Sequence, residues 1–276
     1  MNDKVEVLIE GLKFPEGPVF DEKGELWFVE IKGGTLNCWN SGNRIKYDTG
    51  GAPNGLTFTN NEKILICDSG QNKLLSFNTL DEQFKTIVDN INGDTLDEPN
   101  DLAFDAKGNL LFTCPGNSRQ EPTGYVCCLT KNGLLKKVIT DKYFPNGICF
   151  TDEGNTLVLA ETYRHRLWKG NWNADDCNWV EPEPWVEVGG PIGPDGMALG
   201  EDGLLYVAVF DTGTIKAVSP MGEIVEVFQL PGNRPTNVAF DPSGELGLVV
   251  TEAEKGLLCS IPELGSGVPL FKGEIN

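Results

Sequence analysis

The stretch PNDLAFDAKGNLLFTC, Pro99 to Cys114, decides the fold. It opens on a proline and an oxygen-bearing side chain, then runs through Leu102-Ala103-Phe104 as a short apolar segment. It turns on Asp105-Ala106-Lys107-Gly108 and returns through Leu110-Leu111-Phe112. Two β-rich runs about a glycine turn read as a hairpin. The phrase returns five more times: PEGPVFDEKGELWFVE from Pro15, PNGLTFTNNEKILICD from Pro53, PNGICFTDEGNTLVLAE from Pro145, PDGMALGEDGLLYVAVF from Pro194 and PTNVAFDPSGELGLVVTE from Pro235. Six copies in 276 residues recur about every 46 residues, within the period of about 40–50 that marks a four-stranded propeller blade.

The rest of each repeat supplies two further strands, for example Lys73 to Phe77 and Phe84 to Val88. No long segment keeps a helical period with caps at both ends. Glycine, at 33 of 276 residues, exceeds the usual share of about 7% and suits a fold dense in tight turns. The expected class is all-β: a six-bladed β-propeller, one domain over residues 1–276, with a metal site at the mouth of its central tunnel. An open ring would leave an unpaired edge. Lys4 to Ile9 precedes the first repeat and is free to complete the last blade, whose other outer segments read as Leu257 to Ser260 and Val268 to Phe271.

The residues after the six prolines are Glu16, Asn54, Asn100, Asn146, Asp195 and Thr236. All carry side-chain oxygens, and a closed ring of repeats would bring them together on its axis. Hard divalent cations take such donors. A plain turn explains the Asn positions. It explains Glu16 poorly, because a carboxylate near an axis is costly unless paired. Acidic residues also close several second strands, at Glu30, Asp68, Glu161, Asp211 and Glu252, with Cys114 in the third repeat. Their expected role is to accept backbone hydrogen bonds between segments.

A net charge of −19 and a pI near 4.4 leave no basic patch to neutralise a phosphate backbone, so no nucleic acid is expected as a partner. Met-Asn-Asp-Lys-Val has no basic or apolar character of a secretory leader, and no apolar run reaches spanning length. The eight cysteines are scattered, without a Cys-x-x-Cys pair, and read as reduced thiols. The expected setting is the cytoplasm, away from membranes, as a monomer or small homo-oligomer.

The phrases Phe-Pro-Glu-Gly-Pro near the start, Pro-Asn-Asp-Leu-Ala-Phe-Asp in the third repeat, Phe-Pro-Asn-Gly-Ile in the fourth and Pro-Asp-Gly-Met-Ala in the fifth resemble the SMP-30/gluconolactonase/luciferin-regenerating enzyme family. The resemblance spans the whole chain. It implies one divalent metal at the tunnel mouth, with Glu16, Asn146 and Asp195 as ligands and Asn100 on metal or substrate. Calcium is the first expectation, with magnesium, manganese, zinc or ferrous iron as alternatives. Glu98-Pro99-Asn100-Asp101-Leu102 departs from the Arg-x-Asn-Asp-Gly of animal SMP-30 proteins and points to the microbial sugar-lactonase branch. Phe112-Thr113-Cys114-Pro115 lacks the Asp that many relatives carry there.

A metal held by three or four protein oxygens keeps positions open and polarises an ester carbonyl. Asp195 is the expected catalytic base, and a small sugar lactone the expected substrate. Arg119 and Arg164 are candidates to grip substrate, together with Asn100. His165, the single histidine, cannot form a His–His dyad, lacks a Gly-x-Ser-x-Gly partner and reads as structural. Trp168, Trp172, Trp179 and Trp185 read as packing between blades. Two alternatives stand: hydrolysis of another ester or organophosphate on the same metal, and a non-catalytic propeller pinned by its metal.

Overall fold

The computed structural model describes residues 4–275. Six four-stranded antiparallel sheets follow one another around an axis. Their innermost strands are Pro15–Phe20, Pro53–Phe58, Leu102–Phe104, Pro145–Thr151, Gly193–Leu199 and Pro235–Phe240, each hydrogen-bonded to the next strand in sequence. We number the blades one to six in that order. The second strands, such as Leu26–Glu30 and Leu248–Glu252, are buried along their whole length, whereas the outer Asn43–Asp48 is mostly exposed. A strand covered on both faces by neighbouring blades reads as a continuous apolar run, and only an outer strand can alternate.

The hairpin turns of blades one, three and six share one chemistry. In blade one Asp21 Oδ1 accepts from the backbone N–H of Lys23 and Glu25, both at 2.9 Å, and Gly24 takes φ 79°. Blade three repeats this with Asp105, Lys107, Asn109 and Gly108. The short acidic side chain mimics a backbone turn, and glycine supplies the positive φ.

Glu6–Ile9 pairs antiparallel with Leu257–Ile261 and is the outer strand of blade six, so the chain closes its ring with its first strand. The expectation for Val268 to Phe271 is corrected. That segment is no strand but a strap across the lower end of the axis. Val268 N–H donates to Leu199 O at 3.0 Å, the Gly273 carbonyl accepts from Asn60 N–H at 2.9 Å, and Lys272 pairs with Glu22 at 2.8 Å. Pro269 has no N–H to offer a ladder, and Gly267 lets the chain pass against Phe240 where a Cβ would collide. A small hairpin, Asn90–Ile91 with Asp94–Thr95, precedes blade three and has no counterpart in the sequence reading.

The long hairpin Arg166–Asn173 with Asn178–Glu187 pairs Trp172 with Trp179, both buried in the cluster between blades three and four, so these tryptophans pack rather than bind. All eight cysteines are buried and unpaired. Among the described residues no helix is long and apolar enough to cross a membrane.

Candidate active site

The site is built by a repeated irregularity. In blades one, two, four, five and six the ladder between the innermost and second strands slips just past the proline. A bulge of this kind re-aims a side chain and commonly lies beside functional sites. In blades one, four and five the displaced residues are Glu16, Asn146 and Asp195, whose side chains act on one another across the ring. The loop ahead of the proline is held by the acidic residue that ends the second strand. Glu30 accepts from Lys13 N–H at 3.1 Å, Asp68 from Ala52 at 3.0 Å, Glu161 from Tyr143 at 2.8 Å and Glu252 from Arg234 at 2.9 Å.

Of the six post-proline residues, Glu16, Asn54, Asn146, Asp195 and Thr236 are buried and Asn100 is partly exposed. Convergence of all six oxygens is not what the structure shows. The Thr236 hydroxyl is taken up between blades, 2.8 Å from the Pro15 carbonyl and 2.8 Å from Thr251 Oγ1. Its place in the ring is filled by the next residue, Asn237, whose side-chain amide lies beside Glu16 and favours its ionised form.

Asp101 and Asn237 were missed in the sequence, and a signal for them exists. The second residue after the proline is glycine in four repeats: Gly17, Gly55, Gly147 and Gly196. A Cβ on any of these would collide with the innermost strand of the next blade: with the carbonyls of Asn54, Asn100 and Asp195, and with the Asn237 amide. The glycines form a narrow collar. The two positions that break the glycine pattern are the two that send a side chain into it. Asp101 reaches blade four, where Ile148 N–H donates to Oδ2 at 3.3 Å.

The electrostatics follow from burial. The Glu16 carboxyl is pushed up to about 8 by loss of solvent and then by the charge of Asp101, against the stabilising N–H of Gly17 at 2.8 Å and the Asn237 amide. Asp101 is raised to about 6 by burial, opposed by the N–H groups of Leu102 and Ile148. Asp195 is raised well above its ordinary value by burial and then by the charges of Glu16 and Asp101, with the Asn146 side chain beside it favouring the ionised form. No lysine, arginine or histidine acts on any of the three. Two buried carboxyls and a third half-buried one, without a counter-charge, either hold protons or share a cation.

Among the described residues no three His, Cys, Asp or Glu side chains are grouped closely enough to hold a metal by themselves. Any donor set here would therefore have to draw on neutral amide oxygens, such as those of Asn146 and Asn100. Oxygen donors of mixed charge suit a hard cation. Below the collar lies a cavity of about 640 Å³ with Asp101 and Asn237 on its wall, lined further by Phe58, Phe104 and Phe150 and bridged by Phe271 of the strap.

Arg119 stands in the loop between the second and third strands of blade three, its guanidinium 5.7 Å from the rings of both Phe144 and Tyr163. Arg164 is not brought to the same place. It lies 3.4 Å over Tyr143 and donates to the Tyr163 carbonyl. His165 takes φ 56° and caps a short turn, its N–H on Thr162 O and its carbonyl accepting from Val188.

The profile described as SMP-30/Gluconolactonase/LRE-like region matches residues 14–254. The chain is 28% identical to the diisopropyl-fluorophosphatase of Loligo vulgaris, over 87% of this chain and 85% of that protein. It is 22% identical to a gluconolactonase of Zymomonas mobilis, over 87% of this chain and 77% of that protein. The crystal structure of a luciferin-regenerating enzyme superposes with a TM-score of 0.86 at 19% identity, covering 98% of this chain and 99% of that one. That last likeness speaks to the fold.

Proposed function

The chain belongs to the SMP-30/gluconolactonase/LRE-like family and is a lactonase-like hydrolase, and we propose that it opens a sugar lactone to the corresponding acid in a metal-dependent reaction. The observation that carries this reading is the axial group of Glu16, Asp195 and Asn146, buried, with two carboxyls and no cationic side chain beside them. Those three side chains, with Asn100, would hold one divalent cation, calcium before magnesium, manganese, zinc or ferrous iron. When bound it supplies Lewis-acid polarisation of the carbonyl and charge for the oxyanion.

The chain's own groups do the rest. Glu16 is the anionic anchor, fixed by the Gly17 N–H and the Asn237 amide. Asn146, beside Asp195, favours its ionised form. Asp195 takes a proton from water as the water oxygen bonds to the carbonyl carbon. The ring C–O bond then breaks, and the departing alkoxide takes the proton back from Asp195. Asn100, the partly exposed member of the set, meets the substrate oxygens.

The test is acid release from a panel of aldonolactones by chelator-treated protein, before and after each metal is returned, against buffer and Asp195→Ala. Turnover restored by metal and missing in the variant is expected. Tight metal binding with no turnover above buffer on any lactone overturns the proposal. A second reading, hydrolysis of a phosphorus ester on the same residues, is favoured by the likeness to the squid phosphatase and by the aromatic side chains at the mouth. A fluorophosphate in the same panel separates the two.

A further inference from the structure

Two repeats place phenylalanine immediately before their proline, Phe14 in blade one and Phe144 in blade four, so the two rings belong to opposite sides of the six-bladed ring. Both adopt left-handed backbone, φ 62° and 58°. That conformation is uncommon for a bulky residue and doubly so before proline, and such strain collects at functional sites. Each phenylalanine is backed by a second aromatic. Phe14 stacks on Phe210 at 6.4 Å, which takes it past blade six to blade five, and Phe144 meets Tyr163 edge-on at 5.4 Å. All four rings are partly exposed. The mouth above the axial donors therefore has two aromatic walls.

Its charge is distributed unevenly. Arg234, before the blade-six proline, is taken up by Asp211 at 3.1 Å. Glu98, before the blade-three proline, is the exposed acid of this level. Arg119 stands over Phe144 and Tyr163, and Lys32 stands 5.1 Å over Phe14. Neither cation pairs with a carboxylate among the described residues. The Arg119 loop is also fixed. The adjacent Ser118 is buried, and its Oγ accepts from Phe144 N–H at 2.9 Å, tying this loop to the segment that presents Asn146. In a chain of net charge −19, an arginine held on an aromatic shelf and left without an acid is available to a ligand.

We propose that the site selects a lactone bearing an anionic substituent, a carboxylate or a phosphate, with Arg119 as its contact and Phe14 and Phe144 as walls against the ring. The inference rests on the lactonase reading and deepens it. Lactone opening makes no use of that substituent, so Arg119 sets specificity and takes no part in proton transfer.

The test uses the metal-loaded full chain and two ligand sets. Turnover is measured on an aldonolactone, its terminally carboxylated aldarolactone and its terminally phosphorylated counterpart. Binding is measured by calorimetry on the neutral and carboxylated lactams, whose amide ring resists hydrolysis. The charged ligand should be favoured in both sets. Arg119→Met should lower that preference about tenfold, the scale of one charge-assisted hydrogen bond. Arg119→Lys should restore part of it, and added salt should shrink it. The larger preference between carboxylate and phosphate names the group. An equal preference for neutral ligand in the wild type, or a ratio unchanged by Arg119→Met, overturns the inference. If no lactone turns over, the lactonase reading fails, and the lactam pair still decides whether Arg119 selects an anion.

Discussion

Removing the metal should leave a protein whose stability falls as pH rises, the reverse of the usual behaviour of structural carboxylates. The cause is Glu16, whose carboxyl in the metal-free fold is raised from 4.5 to about 8. Below the lower value both the folded and unfolded chains carry the proton. Between the two values the unfolded chain has released it and the folded chain has not, so each step up in pH favours unfolding. At about 1.4 kcal/mol per pH unit, the interval from 4.5 to about 8 amounts to roughly 5 kcal/mol. For a domain of this size that is a fall in melting temperature on the order of 10 °C. Asp101 adds to the same trend from 3.8 to about 6. A bound cation removes the effect, because Glu16 is then ionised in the fold. Calorimetric melting in chelator and in excess calcium, from about pH 5 to pH 8, measures both arms. The gap between them should widen with pH. General repulsion within so acidic a chain also grows with pH, so Glu16→Gln is the necessary comparison. Its chelated melting temperature should fall less than that of the wild type. A wild-type gap constant across the range, or a fall of the same size in Glu16→Gln, would refute the assignment of Glu16 as an uncompensated buried acid.

Asp195→Asn keeps an oxygen for the cation but removes the base, so turnover on any lactone should drop by about 10²- to 10⁴-fold while far-ultraviolet dichroism is unchanged. Gly147→Ala would drive a Cβ into the Asp195 carbonyl of the next blade. It should cost about 1–3 kcal/mol in denaturant titration and weaken metal binding along with stability. Deleting residues through Ile9 removes the strand that covers Leu257–Ile261. The freed edge should cause concentration-dependent association, read by light scattering.

The architecture was legible because one hairpin is written six times, with its turn chemistry spelled out in Asp21 and Gly24 or Asp105 and Gly108. Ring closure was legible too, since a lone strand ahead of the first repeat had one place to go. The strap was not. Val268 to Phe271 is as apolar as a strand, and only its lost ladder donor at Pro269 and the tight passage at Gly267 argue otherwise.

The site was half legible, and the division has a physical reason. The residue after each proline points to Glu16, Asn146 and Asp195, whose side chains lie close enough to act on one another. The same rule counted Thr236, whose hydroxyl the fold spends between blades, and passed over Asp101 and Asn237 one position later. A repeat shows where the axis is but gives equal weight to every copy. At the collar, space is the scarce quantity, and four glycines exist because the next blade stands where a Cβ would go. The information therefore lies in the copies that refuse glycine. Asp101 and Asn237, in blades three and six, are the places where the ring admits a side chain. Asp101 brings a third negative charge to Glu16 and Asp195, and Asn237 brings the amide that steadies Glu16. Both also line the cavity, whose wall includes none of Glu16, Asn146 and Asp195. In a repeat protein the consensus describes the scaffold, and the exceptions to a sterically enforced consensus are where chemistry has been admitted.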